Sequence, residues 1–342
     1  MNEKIQTSKI YFDSVIVGLT LILAVGFIIS FMLGKYPIAP AELFSILASN
    51  VLPIDQTWTD QQAVILYHVR MPRIILSVLV GCCLSAAGAA YQGIFRNPLV
   101  SSDIVGASSG AAFGAALAIL MAIGNLGISI LAFVFSIGAV MAVGFLSKKV
   151  KTNPVLGLVL AGIMVGSLFN SATSFLKLVA DPNEQLPAIT YWLMGSFSGA
   201  KLEDIRLAII PMAAGLIPLF LLRWKINILT MGDDEARTMG VDTKKTRAII
   251  VIAATLVTAA SIAVSGMIGW IGLVIPHLSR MLVGSDYRRL MPVSMLMGAS
   301  FLLIVDNVSR LTTTSEIPIG ILTSFIGAPF FFYLISREGE KF

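Results

Sequence analysis

The chain has 342 residues, with 24 Lys and Arg against 19 Asp and Glu, a formal charge of +5. Charged residues are 13% of it and hydrophobic ones 56%, against roughly 25% charged in a soluble domain, and the mean hydropathy is +0.88. This excludes a water-soluble fold, and nucleic acid is no expected partner, because surplus Lys and Arg in a membrane protein mark cytoplasmic loops.

Lys4 and Lys9 precede the uncharged run Ser14–Gly34. It is longer than a signal-peptide core and no small-residue cleavage site follows, so it reads as a retained first span. The further uncharged runs are Ile74–Phe95, Ile104–Ser147, Thr152–Leu176, Leu207–Leu222, Ala248–Ser279, Leu290–Val305 and Ile317–Ser336. A crossing takes about 20 apolar residues. Ile104–Ser147 therefore holds two helices, with a turn at Gly124–Gly127. Ala248–Ser279 holds one full span and a short one, broken near Ser265–Gly266 and softened at Pro276. The fold class is all-α: one integral-membrane domain over residues 1–342, with about ten transmembrane helices.

An even number of spans puts both termini on one side. With the termini cytoplasmic, all basic residues except Lys35, Arg70, Arg73, Lys177, Lys201, Arg206 and Arg310 fall inside, as the positive-inside rule requires. Outside, Pro40–Leu47 is amphipathic enough for a short surface helix. A turn at Asp181–Asn183 precedes another short helix over Ile189–Phe197. Gly81, Ser85, Gly88 and Gly93 give one span a small-residue face for close helix packing. Arg73–Gly81 and Arg247–Thr255 open long spans of opposite direction in a similar way, the pattern of an inverted repeat.

The chemistry is sparse. Cys82 and Cys83 are adjacent within an apolar run, and His68 and His277 are scattered, so no disulfide framework, metal site or catalytic constellation is expected. No phosphate-cradling G-x-x-x-x-G-K-[ST] loop occurs. No carboxylate falls in the middle of a span, whereas ion-coupled carriers keep such costly groups for function. The energy source is expected elsewhere.

One cytoplasmic loop, Arg223–Arg247, carries high charge. Within it Asp233, Asp234 and Glu235 follow Gly232, suiting a helix N-terminus, and Gly240 stands at a C-cap position. The short helix between these glycines is either a solvated connector or a lever for a cytoplasmic partner.

Several motifs now stand in a recognisable order: Arg70-Met-Pro-Arg73, Gly81 through Gln92, Arg96-Asn97-Pro98-Leu99-Val100, Asp103-Ile-Val-Gly106 and Ser109-Gly110-Ala111. Met231–Arg237 with Met239-Gly240-Val241 follows, then Gly269–His277 with Arg280, Glu316–Gly320 and Gly327–Phe330. Over residues 65–335 the chain resembles the permease subunits of ATP-binding-cassette importers for ferric siderophores, haem and cobalamin, the iron-chelate/cobalamin permease family with the type II importer fold. The resemblance implies a prokaryotic plasma-membrane permease that pairs with a second copy of itself or with a similar permease, two ATPase subunits and an extracytoplasmic substrate-binding protein. ATP and Mg belong to the ATPase, so no cofactor is expected in this chain. The segment of about 224–246, with Gly232, Asp233, Asp234, Glu235, Ala236, Arg237, Met239 and Gly240, matches the helix that couples to the ATPase. Arg70, Arg73 and Arg310 match positions that meet acidic residues of the binding protein, although arginines at span ends also serve as interfacial anchors. Asn97, Pro98, Leu99, Thr152 and Asn153 match a cytoplasmic gate. The expected cargo is a ferric siderophore or related metal chelate, with cobalamin, haem or an oxyanion such as molybdate as alternatives. A stand-alone secondary transporter is the reading from another class.

Overall fold

The computed structural model describes residues 2–53, 55–149, 154–313 and 315–339. Among them every regular element is helical: α1 (Asn2–Met32), α2 (Pro40–Ala48), α3 (Asp60–Val64), α4 (Met71–Phe95), α5 (Ala107–Leu120), α6 (Gly124–Ser147), α7 (Pro154–Val179), α8 (Gln185–Leu193), α9 (Leu202–Leu221), α10 (Arg223–Met231), α11 (Asp233–Thr238), α12 (Thr243–Ser265), α13 (Ile271–Val283), α14 (Tyr287–Leu311) and α15 (Ile319–Gly339). A π-helical turn, Ile65–Arg70, joins α3 to α4, and a 3-10 turn, Ser102–Val105, precedes α5.

Seven stretches are long and apolar enough to cross a membrane, and α5, α13 and Ile319–Tyr333 are shorter apolar helices. Each apolar run of the sequence has become one of these ten. The turn between α5 and α6 falls at Met121–Ile123, ahead of the expected glycines, with Ala122 and Gly124 both at positive φ. Gly127 lies inside α6. α12 ends at Gly266, φ 66°, as its sequence indicates, but Pro276 sits inside α13 without breaking it. The short helix expected from Ile189 begins earlier and ends at Leu193.

The centre of the fold is α4, packed against α12, α13 and α14. Its small-residue face explains the closeness: a methyl group on Gly88 would overlap the Gly272 carbonyl, and one on Gly81 the Gly298 carbonyl. Backbones in contact give dense packing without large side chains, the usual solution where lipid supplies no hydrophobic drive between helices. Tyr91 on α4 also meets Thr255 on α12, hydroxyl to hydroxyl, at 3.0 Å. Peripheral helices differ sharply, since the apolar window of α1 is only 11% buried against 78% for α4. Helix lengths of 25, 14, 24 and 26 residues over α4–α7 recur as 23, 13, 25 and 21 over α12–α15, in keeping with the repeat read from the two arginine-led spans.

Candidate functional site

Two features stand along α4, whose 25 residues span about 37 Å at 1.5 Å per residue. At its first turn is an arginine cluster and at its last turn a loop and helix system, while a cleft lies away from it, among α5, α7 and α15.

At the last turn, Arg96 adopts a left-handed conformation, φ 51°. The N–H groups of Arg96 and Asn97 donate to Gly93 O and Gln92 O at 3.3 and 3.2 Å, closing α4 in a Schellman motif. The Asn97 side chain then accepts from Leu99 N–H at 2.9 Å, an Asx turn. The loop is thus locally fixed, while Asn97, Pro98 and Leu99 stay exposed. Thr152 and Asn153, the other expected gate positions, lie outside the described residues.

Next to this loop is α11. Gly232 precedes it at φ 136°, and Gly240, φ 78°, ends it: Val241 N–H donates to Ala236 O at 3.0 Å and Gly240 N–H to Arg237 O at 2.9 Å, a second Schellman motif. Ala236 is fully buried, and Asp234, Glu235, Arg237, Met239 and Gly240 are exposed. Asp233 is paired with Arg247 of α12 at 2.7 and 3.3 Å. The hydrogen bond from Arg247 holds the Asp233 carboxyl below the usual carboxylate range; partial burial opposes this, and the charges of Arg247, Arg96 and Arg237 add to it. The charge of Arg96, at the end of α4, thus acts on the carboxylate that begins α11. Behind α11, Asn227 of α10 donates to Asp286 and accepts from Tyr287 N–H at 2.7 Å, fixing α10 to the start of α14. Burial opposes the charge of Asp286, but the Arg288 N–H and the Asn227 amide, with the charges of Arg288 and Arg289, hold its carboxyl low.

The arginine cluster is anchored within the chain. Arg70, Arg73 and Arg310 are 4–6% exposed, and each is bonded to groups of its own chain. Arg70 donates to the carbonyls of Phe31, Met32 and Tyr36, and Arg310 to Ser30 O at 2.7 Å and to Asn307. The physical cause is the C-terminus of α1, whose last carbonyls have no intrahelical partner. Arg73 pairs through Nε with Asp306 at 2.9 Å and through Nη1 with Glu316 at 2.8 Å. Asp306 is wholly buried, and a buried carboxylate requires such a partner. Arg310 Nε also lies 4.0 Å from Asp306, so two guanidiniums face two carboxylates, with Arg70 committed to carbonyls nearby.

The cleft, about 580 Å³, lies between the first turns of α5 and α15 and the middle of α7. Asp103, Ser108, Ser109, Ser167, Asn170 and Ser324 give it polar walls, and Ile163, Met194 and Met267 apolar ones. Ser108 donates to Asp103, which occupies the N-terminal end of α5.

Sequence reading named the segments of α11, the gate loop and the arginines. It missed Arg247 as the anchor of Asp233, the Asn227–Asp286 tie, and Glu316 as partner of Arg73. For the last, no signal local to either residue was present, since Arg73 and Glu316 lie 243 positions apart.

The profile of the FecCD transport family matches residues 22–337. The molybdate import system permease protein MolB of Haemophilus influenzae is 38% identical over 326 residues, 95% of this chain and 96% of its own. The cobalamin import system permease protein BtuC of Halobacterium salinarum is 40% identical over 278 residues, 81% of this chain and 74% of its own. A solved structure, described as an inward-facing conformation of a metal-chelate type ABC transporter, superposes with a TM-score of 0.84 at 37% identity, covering 95% of this chain and 99% of that one. With seven helices long and apolar enough to span and three shorter apolar ones among the described residues, the α11 device and this chain-wide similarity together, the protein belongs to the FecCD transport family and is a multi-pass membrane permease of the ATP-binding-cassette importer class.

Proposed function

We propose that this permease moves a metal chelate, handed over by an extracytoplasmic binding protein, through a path completed by a second permease copy and driven by two ATPase subunits. The observation that carries this reading is α11: a short helix stopped by glycine at both ends, anchored through Arg247 and exposing Asp234, Glu235 and Arg237. Such a helix is rigid enough to transmit force and open to a partner. On this reading the ATPase seats α11, Asn97–Leu99 belong to the gate at the same end, and the binding protein docks at the opposite end of α4. Docking there draws on the guanidiniums of the arginine cluster, since guanidinium is suited to carboxylates and stays charged. The chain itself works without catalytic residues or a bound cofactor.

The cargo assignment rests on the metal-chelate transporter that superposes over nearly the whole chain and on the cleft. Its 580 Å³ falls within the roughly 300–1,000 Å³ of sites for drug-sized ligands, ample for a chelate and oversized for a bare tetrahedral oxyanion. The second reading, molybdate, is favoured by the similarity to MolB over 95% of the chain. Uptake of a labelled ferric siderophore into vesicles holding the complete transporter, in competition with molybdate, haem and cobalamin, decides between them. Siderophore uptake unaffected by molybdate supports the first reading, and uptake of molybdate alone overturns it.

A further inference from the structure

The arginine cluster and the cleft meet in one short stretch of chain, residues 315–321. Glu316 gives both carboxylate oxygens to Arg73 Nη1, at 2.8 Å each. One residue on, Ile317 N–H donates to Ser309 O at 3.3 Å, and its carbonyl accepts from the Ser309 hydroxyl at 2.6 Å. Two residues further, the N–H groups of Ile319 and Gly320 donate to Gly195 O and Met194 O at 2.9 and 3.0 Å. Met194 and Gly320 are walls of the cleft. The five residues Glu316–Gly320 thus connect Arg73 by direct bonds to the cleft wall.

Arg73 has donors left over. It is 5% exposed, with Nε on Asp306, Nη1 on Glu316, and Nη2 buried without a hydrogen-bond partner. Its two carboxylates are not equally held, because the Asp306 side chain is 0% exposed and that of Glu316 is 25% exposed. A carboxylate arriving from this end would meet an unsatisfied Nη2 and would compete with Glu316, not with Asp306.

We propose that Glu316 is a positioning residue: its ion pair with Arg73 holds residues 315–320 against Met194–Gly195 as one wall of the cleft, and an acidic side chain of the binding protein releases that wall by taking over Arg73. The second half rests on the docking reading given above; the first half does not. Such a ligand shifts the wall only if it binds the released state better, and here the difference is access to Arg73 Nη1 once Glu316 has left.

The test places a cysteine at Thr323, 1% exposed, in the complete transporter reconstituted in vesicles. Labelling by a membrane-impermeant maleimide is followed, with the signal of the parent carrying only Cys82 and Cys83 subtracted. Without binding protein, Glu316→Gln is expected to speed labelling roughly tenfold, because modification of a buried thiol follows the population of the released state. Purified binding protein is expected to speed labelling in the Glu316 parent and to add nothing in Glu316→Gln. Should Glu316→Gln label at the parent rate, the latch is overturned whatever docking does. If binding protein does not bind the parent vesicles, the docking reading falls, while the comparison made without it still decides the latch. Glu316→Asp, which keeps the charge but shortens the reach, serves if the Gln variant does not accumulate: a rate above the parent's supports the latch, and the parent rate overturns it.

Discussion

Asp233 and Arg247 face each other from two helices, with carboxylate oxygens 2.7 and 3.3 Å from the terminal guanidinium nitrogens, so α11 cannot shift without pulling on α12. α12 in turn packs on α4 through the bundle core, which makes this pair the mechanical entry from the α11 surface into the permease. Arg247→Gln keeps the length and a donor but loses the charge and the fork. Its expected result is normal accumulation with stimulation of ATP hydrolysis by the binding protein reduced about tenfold, within the roughly 5–150-fold range of coupling between sites. The measurement is ATPase rate in reconstituted vesicles with and without loaded binding protein, and full stimulation would remove Arg247 from the coupling route.

The same pair fixes a pH dependence. The Asp233 carboxyl is depressed in the folded chain, chiefly by the bond from Arg247. Its contribution is therefore complete above the unfolded value of about 3.9 and is lost as pH falls through the lower folded value. The difference in melting temperature between wild type and Asp233→Asn should be constant from about pH 8 down to about pH 5 and close below about pH 4. A difference that changes around neutrality would point to another group.

Ala236 is fully buried, and its N–H donates to Gly232 O at 3.1 Å. Ala236→Pro removes that donor and disrupts α11, at a cost of about 3 kcal/mol in a helix interior. The apolar helices do not depend on it, so the protein should reach the membrane while uptake falls to background. Wild-type uptake by this variant would reduce α11 to a connector. Glu235→Ala, on the exposed side, is the milder companion and should lower uptake without touching stability.

Arg73 separates a structural from a purely surface role. Arg73→Met leaves Asp306 buried and charged with only the longer contact to Arg310 at 4.0 Å, a loss of up to about 3–5 kcal/mol, seen as poor accumulation and a lower melting temperature in detergent. Adding Asp306→Asn removes the stranded charge and should recover most of the loss. If the single variant melts like wild type, the Arg73–Asp306 pair contributes nothing to the fold.

Gly88 tests the central seam. Gly88→Val pushes two methyl groups toward the Gly272 carbonyl, and overpacking of this kind costs about 1–3 kcal/mol. Gly138 has open space around its Cβ position, and Gly138→Val is the control expected to leave thermal stability unchanged.

Much of this architecture was legible in the sequence because lipid imposes a simple code. Uncharged runs had to become helices, and Gly81 and Gly88 had to mark close contacts. The α11 device was legible because Gly232, three acids and Gly240 encode its two ends locally. What stayed hidden depends on partners far apart in the chain. Arg73 and Glu316 are separated by 243 positions, and nothing local to either announces the other. The arginines read as surface charges for the same reason: the carbonyls of Phe31 and Tyr36 that claim Arg70 leave no trace in composition. The turn at Met121–Ile123 was misplaced because Ala122 takes a positive φ that its side chain gives no reason to expect.

The burial of α4 sets where this protein tolerates alteration. Apart from a few positions near its start, such as Met71 and Ile75, that helix offers almost no face free of neighbours, so a fluorophore, spin label or affinity handle attached there would report on its own damage. α9 and α1 are the places for such probes: Ile210 is 74% exposed and Val25 53%. A reporter at Ile210 shares its helix with Gly215, whose neighbours are Val257 and Ala253 of α12, and so would follow the motion of the core from a site that the core does not use.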